Sequence, residues 1–186
     1  MKWLQDSDEN LSVMSENNLK EIESKAIWYL ERYATSSQNL RKYLKRKVMN
    51  THLNIGSDEI INKVISRLET QKILNDKFFA ESKVRSLLNK GWSTKKIGLK
   101  LKELGVSGEL IEENINNLDG NEEEINLVSA ITLVKKRSIG PYRKVEFTDK
   151  VKNREFGIMS RAGFSYAISK KVLMDMNKNE IEGKEI

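Results

Sequence analysis

"LLNKGWSTKKIGLKLKELG", residues 87–105, decides how the fold is read. Lys90, Gly91, Trp92 and Ser93 stand in a row, and each has a local physical job. Gly91 can adopt the left-handed conformation that ends a helix. Lys90 falls in the last turn, where the carbonyl end of the dipole favours a cation. Ser93 is a good N-cap for the next helix, worth ~1 kcal/mol over alanine. Trp92 then precedes the cap and Ile97 takes the fourth helical position, the pair that forms a hydrophobic staple. Beyond the cap, Ile97, Leu101 and Leu104 recur at helical spacing. The stretch predicts a helix, a tight joint and a second helix.

A similar order returns at "SRAGFSYA", with Arg161, Gly163, Phe164 and Ser165, and more weakly at "ERYATSSQNL", with Arg32, Ala34, Thr35 and Ser36. Taken as copies of one joint, the serines lie 57 and then 72 residues apart, and an additional helix, 122–138, precedes the last copy. Leu44, Leu101 and Leu173 each lie eight residues after their serine, so a later core position is kept. Small helical units of this kind cannot bury an apolar face alone and must stack on their neighbours, which predicts a repeat architecture.

Apolar residues follow the helical period nearly everywhere, as at Leu40, Tyr43, Leu44 and Val48, or Ile60, Ile61, Val64, Ile65 and Leu68. No stretch alternates strictly, so the chain reads as all-α. Helices are expected at roughly 20–34, 37–48, 58–71, 76–89, 94–104, 108–118, 122–138, 153–161 and 166–177. A basic loop, 139–152, carries the single proline, Pro141. The first ~15 and last ~9 residues are polar and expected to fray.

Composition narrows the chemistry. With no cysteine, disulfides, thiol nucleophiles and thiolate metal sites are excluded. The single histidine, His52, excludes a histidine metal cluster and a Ser-His-Asp triad. There is no phosphate-binding glycine loop. Glu122, Glu123 and Glu124 open a helix and are expected to complement its dipole rather than bind metal. No metal, cofactor, small-molecule substrate or enzymatic activity is expected. The acidic N-terminus has no apolar core, and "INLVSAITLV", 125–134, is too short to span a bilayer. A monomer in a reducing cytoplasm, away from membranes, is the expectation.

Charge is segmented. The total is +6, but residues 25–50 hold 7 basic and 1 acidic side chain, 75–102 hold 8 and 2, 103–134 hold 0 and 8, and 135–172 hold 11 and 3. Stacked repeats would set these blocks as a basic stripe beside an acidic ridge, able to steer and hold an anionic surface. Lys95 and Lys96 occupy the first turn of their helix, where the dipole disfavours cations. They are therefore expected, with Lys100, to serve a contact face. Trp28, Tyr29, Tyr33 and Tyr43 interleave with basic residues as a nucleic-acid stacking surface would, though their helical spacing equally suits a core.

Residues 68–115 also resemble the RecX family of regulatory proteins. The resemblance lies in Asn75-Asp76, Phe79-Ala80, Val84-Arg85, Gly91-Trp92, Ile97, Leu101, Gly105 and Ile111. "AIWYLERYATSSQNLRKYLKRK" and "SRAGFSYAISKKVL" extend it over about 25–177. Three departures stand out: Asn75 replaces an acid, Ala162 interrupts an Arg-Gly pair, and the last copy lacks an apolar residue four after its serine. The resemblance implies tandem three-helix repeats in an elongated, curved, solenoid-like chain. Its segments would be a polar 1–19, repeats 20–72, 73–119 and 120–177, and a polar tail 178–186. It implies a protein without an active site that lies in the groove of the RecA–DNA filament. There it suppresses RecA's ATPase, strand exchange and coprotease activity in DNA repair and the SOS response, with single- or double-stranded DNA contacted directly or through RecA.

Candidate contacts are Arg41, Lys45, Arg46, Arg85, Lys90, Lys95, Lys96, Lys100, Arg143, Lys144, Arg161, Lys170 and Lys171. Leu40, Leu44, Phe79, Ala80, Gly91, Trp92, Ser93, Ile97, Leu101, Gly163, Phe164 and Leu173 are the structural set. Two other readings compete. One is a helical nucleic-acid-binding protein acting without RecA, although 94–104 is mostly lysine and suits phosphate better than base edges. The other is an adaptor with no nucleic-acid role.

Overall fold

The computed structural model describes residues 2–49 and 57–183, and those residues form helices and turns without strands. His52 lies outside them. The helices are α1 (Lys2–Leu30), α2 (Ser37–Val48), α3 (Ser57–Thr70), α4 (Asp76–Leu88), α5 (Thr94–Glu103), α6 (Gly108–Asn116), α7 (Glu122–Arg137), α8 (Asp149–Arg161), α9 (Tyr166–Lys170) and α10 (Lys178–Glu182). The chain forms two compact bodies, one of residues 1–79 with 104–106, the other of 80–103 with 107–186.

In the first body, α1, α2 and α3 pack on one another. Their core is built from Ile22, Ala26, Leu40, Leu44, Ile61, Ile65 and Leu68, all essentially buried. In the second, α7, α8 and α9 close over Ile131, Val134, Met159, Val172, Leu173 and Ile181, and α5 packs on α6. Ala80, Ile97 and Leu101 are fully buried, and Phe79 and Phe164 nearly so. Apart from the half-buried Trp92, the apolar side chains of the structural set are buried.

The joint at 90–93 behaves as its residues dictate. Gly91 has φ +77°. Its N–H donates to Leu88 C=O (2.8 Å) and the Trp92 N–H to Leu87 C=O (3.1 Å), the paired bonds of a Schellman ending. Ser93 Oγ accepts from the Lys96 N–H at 3.2 Å and so caps α5. α7 opens on a capping box, Asn121 with Glu124, and Glu122, Glu123 and Glu124 fill its first turn as the dipole favours.

Several boundaries differ from expectation. α1 begins at Lys2, not near residue 20, because neither glycine nor proline interrupts 2–30. It ends at Leu30, where the Arg32 guanidinium donates to Trp28 C=O (2.8 Å) and caps the last turn. α8 starts at Asp149, four residues earlier than expected, because Thr148 caps it. The stretch after α9 is a π turn, Lys171–Asp175. The supposed frayed tail contains α10, fixed by an Asn177–Glu180 capping box and by Ile181, which is fully buried.

The last joint is also corrected. "AGFS", 162–165, is not the counterpart of "KGWS" but of "LGVS", 104–107. Ser107 and Ser165 both cap the following helix, and they lie 58 residues apart, against 57 for Ser36 and Ser93. Ser169, the polar residue four after Ser165, is 2% exposed and donates to Ser165 C=O (2.7 Å), so it needs no apolar partner.

Candidate partner-binding surface

The middle helices α2 and α5 are closed at their N-termini in the same way, each inside its own body. Free N–H groups at a helix start need acceptors. For α2, Asp76 accepts from the Ser37 N–H and hydroxyl, both at 2.7 Å. For α5, Asn126 accepts from the Thr94 N–H at 2.9 Å, and Glu122 from the Thr94 hydroxyl at 2.8 Å. The capping serines then meet a later glycine turn. The Ser36 hydroxyl donates to Leu104 C=O beside Gly105. The Ser93 N–H donates to Ala162 C=O at 3.0 Å beside Gly163. A Cβ on Gly163 would lie 2.3 Å from Ser93 Oγ, so the contact requires glycine there.

Lys96, a candidate contact, is engaged within the chain at this dock. Its Nζ donates to Arg161 C=O at the end of α8 and lies 3.9 Å from the Trp92 ring centroid. Burial lowers the ammonium's pKa. The first-turn lysine that the α5 dipole resists is thus accounted for, since it serves the carbonyl end of another helix, where a cation is favoured. Arg143, another candidate, is likewise engaged within the chain. It pairs with Glu155 (2.8 Å), which is 1% exposed and also accepts from the Gly140 N–H at 3.1 Å, and Arg143 donates further to Leu173 C=O at 3.1 Å.

Other candidates are surface cations with local partners. Lys45 pairs with Asp58 at 2.8 Å, Arg85 with Glu81, Lys100 with Glu103 at 2.8 Å, and Lys171 lies 4.0 Å from Glu123. Arg41 bonds Asn62 and Gln38. Arg46, Lys90, Lys95, Lys144, Arg161 and Lys170 are exposed, and their side chains have no hydrogen bond or ion pair among the described residues.

Within the second body, beside the dock of α5 on the end of α8, the starts of α5 and α7, the 163–165 turn and α9 line a groove of about 450 Å³. Phe164 and Ile168 give it an apolar floor, with Lys95 and Lys171 on the rim beside Glu122 and Glu123. A bare phosphate strand would meet those carboxylates as well as the lysines. A folded protein surface with its own mixture of charge and apolar contacts suits this groove better. Among the described residues, no cluster of His, Asp or Glu could hold a metal ion, and no helix is long and apolar enough to cross a membrane.

Lys95 and Lys96 make a sharp pair for measurement. Lys96→Ala is expected to cost about 1–2 kcal/mol, through the lost charge-assisted bond and cation–π contact. Lys95→Ala should stay within about 0.5 kcal/mol of the parent in the same urea titration. Equal effects would contradict the placement of Lys96 in the dock.

The comparisons with known proteins converge on this arrangement. The family model for "RecX, second three-helix domain" matches residues 75–113, which span α4, the Gly91 joint, α5 and most of α6. The regulatory protein RecX of Myxococcus xanthus is 30% identical over 158 residues, covering 82% of this chain and 83% of that protein. The regulatory protein RecX of Agrobacterium fabrum is 32% identical over 162 residues, covering 84% and 83%. The chain belongs to the RecX family. A crystal structure of RecX from Lactobacillus salivarius shares the fold, with a TM-score of 0.61 at 20% identity over 86% of this chain and 97% of that one.

Asn75, a departure from the RecX pattern, has a local explanation. Its Oδ1 accepts from the Phe78 N–H at 3.0 Å, so it is the N-cap of α4, a position that asparagine fills as well as aspartate. Asp76, beside it, is the residue that closes α2. Asp76, Glu122 and Asn126 are not among the expected functional positions. Their role is to position the middle helices, and the sequence distance to their partners conceals it.

Proposed function

We propose that this RecX family chain binds the RecA–DNA filament and restrains RecA's ATPase, strand exchange and coprotease activity, acting without an active site or cofactor. The observation that carries this reading is the groove at the α5–α8 dock, whose rim mixes Lys95 and Lys171 with Glu122 and Glu123 over an apolar floor. A recombinase filament offers protein surface as well as phosphate, so a mixed rim fits it. Family membership supports the same assignment. The proposed repeats are 20–72, 73–119 and 120–177, with the second and third each supplying the groups that close the middle helix before them.

The test is RecA's single-stranded-DNA-dependent ATPase, measured with and without the protein. Inhibition is expected. Lys95→Glu combined with Lys171→Glu should raise the half-inhibitory concentration by about tenfold, the loss of one or two cross-interface charge pairs. A glutamate at 95 suits the first turn of α5, and a urea titration of the double variant separates lost inhibition from lost stability at 171, beside Glu123. Inhibition unchanged by the pair would remove this groove from the interface, and no inhibition by the parent protein would remove the RecA assignment itself.

A further inference from the structure

Four aromatic side chains crowd one face of α1 and α2 in the first body. Tyr29 stacks on Tyr43, with ring centroids 4.1 Å apart and planes at 26°, and meets Tyr33 at 5.0 Å. Tyr29 and Tyr43 are half-buried. Trp28 is 48% exposed and Tyr33 53% exposed, unusually open for large rings on a packed helix pair. Cations accompany the rings. The Arg32 guanidinium lies 4.3 Å from the Trp28 centroid and Lys47 Nζ lies 5.7 Å from that of Tyr43. An adjoining groove of about 410 Å³ is lined by Trp28 and Tyr43 together with Lys20 and Lys25. Two carboxylates share the face and both are engaged, Glu21 with Lys25 at 2.9 Å and Glu31 with Arg32 at 3.3 Å.

We propose that this α1–α2 face is a stacking platform for single-stranded nucleic acid, with unpaired bases on Trp28 and Tyr33 and phosphates beside Lys20, Lys25 and Lys47. Every base has a π face that an open ring can take, whatever its identity, and cations spaced around the rings follow the backbone. Arg32 laid on the indole adds a flat cation on which a base can stack. A duplex hides its base faces and cannot use the rings, so the platform discriminates unpaired from paired strands. An acidic peptide would satisfy the lysines but would leave the exposed rings without a matching surface. The platform lies apart from the α5–α8 groove in sequence, and a strand held on it would be bound with or without a recombinase present.

Fluorescence anisotropy with the full chain tests this, using labelled oligothymidylate and a duplex of equal length. The single strand should bind more tightly than the duplex. Trp28→Ala with Tyr33→Ala should weaken single-strand binding about thirtyfold or more, since each base stacked on an aromatic ring is worth roughly 1–3 kcal/mol. Trp28→Phe with Tyr33→Phe keeps both rings and should retain most of the affinity, a check that holds even if the alanine pair folds poorly. The proposal is overturned by a parent protein that does not bind the single strand or prefers the duplex. It is equally overturned if the phenylalanine pair loses as much affinity as the alanine pair, if a folded alanine pair binds normally, or if polyglutamate displaces the strand as well as unlabelled oligothymidylate of matched charge.

Discussion

Replacing Gly91 by valine is expected to cost about 3 kcal/mol or more and to unfold much of the second body at physiological temperature. Two effects add. The residue sits at φ +77°, a conformation that costs an L-residue about 1–2 kcal/mol. The side chain also has nowhere to go. A Cβ there would lie 2.7 Å from Leu133 Cβ and 2.8 Å from the Leu133 Cα and N, so the backbone of α7 itself blocks it. A rotamer change cannot relieve a backbone contact, and overpacking of this kind adds about 1–3 kcal/mol. Gly108, the first residue of α6, is the control. Nothing lies within 4 Å of a Cβ there, and its φ is ordinary. Gly108→Ala should therefore stabilise by about 0.4–1 kcal/mol, by narrowing the unfolded ensemble. Urea unfolding followed by tryptophan fluorescence reads both, and coincident midpoints for the two variants would refute the close approach of α7 to the joint.

Glu155→Ala is expected to destabilise by about 3–5 kcal/mol, the cost of leaving one member of a buried ion pair alone. The carboxylate is held by Arg143 and by the Gly140 N–H, so its removal strips the guanidinium of its counter-charge, leaving it the Leu173 C=O, and takes the acceptor from the amide. Removing Arg143 as well should recover part of the loss, because no uncompensated charge remains buried. A double-mutant cycle measures that recovery. At about 2–4 °C per kcal/mol for a chain of this size, the melting shift for Glu155→Ala alone would be about 6–20 °C. Strict additivity in the cycle would mean that the pair is not coupled.

What can be read in advance follows the range of the interactions. Gly91 and Ser93 act on amides within five residues of themselves, so "NKGWS" contains all the information needed to place a helix end and a helix start. The periodic leucines of α2 and α5 are legible for the same reason. The internal partner of Lys96 is invisible to a reading confined to its own helix, because its amine reaches a carbonyl 65 residues on. The partner of Arg143 is hidden in the same way, since it is one of many cations in a basic loop until Glu155 is brought beside it. The register of "AGFS" fails for a different reason. Glycine followed by an apolar residue and serine serves two kinds of joint, and Val106 makes "LGVS" look unlike its true counterpart. Only the contacts of Ser36 with Leu104 and of Ser93 with Ala162 tell the joints apart. The surface cations remain the least legible, since exposed lysines obey few local rules.

The closure of each middle helix by later residues has a consequence in time. The acceptor for the Ser36 hydroxyl lies 68 residues downstream and the carboxylate for Ser37 lies 39 downstream. A ribosome adding about 5–20 residues per second needs on the order of 3–14 s to make 68 residues. For the first part of that interval, until Asp76 is made, the Ser37 amide is open to water or to any stray carboxylate, while Ser36 Oγ already accepts from the Asn39 N–H. α5 waits similarly for Ala162. The order of synthesis therefore sets the order of completion, and a translational slowdown between Ser37 and Asp76 would prolong the unfinished state. Refolding from denaturant, with every closing group present from the start, has no such delay.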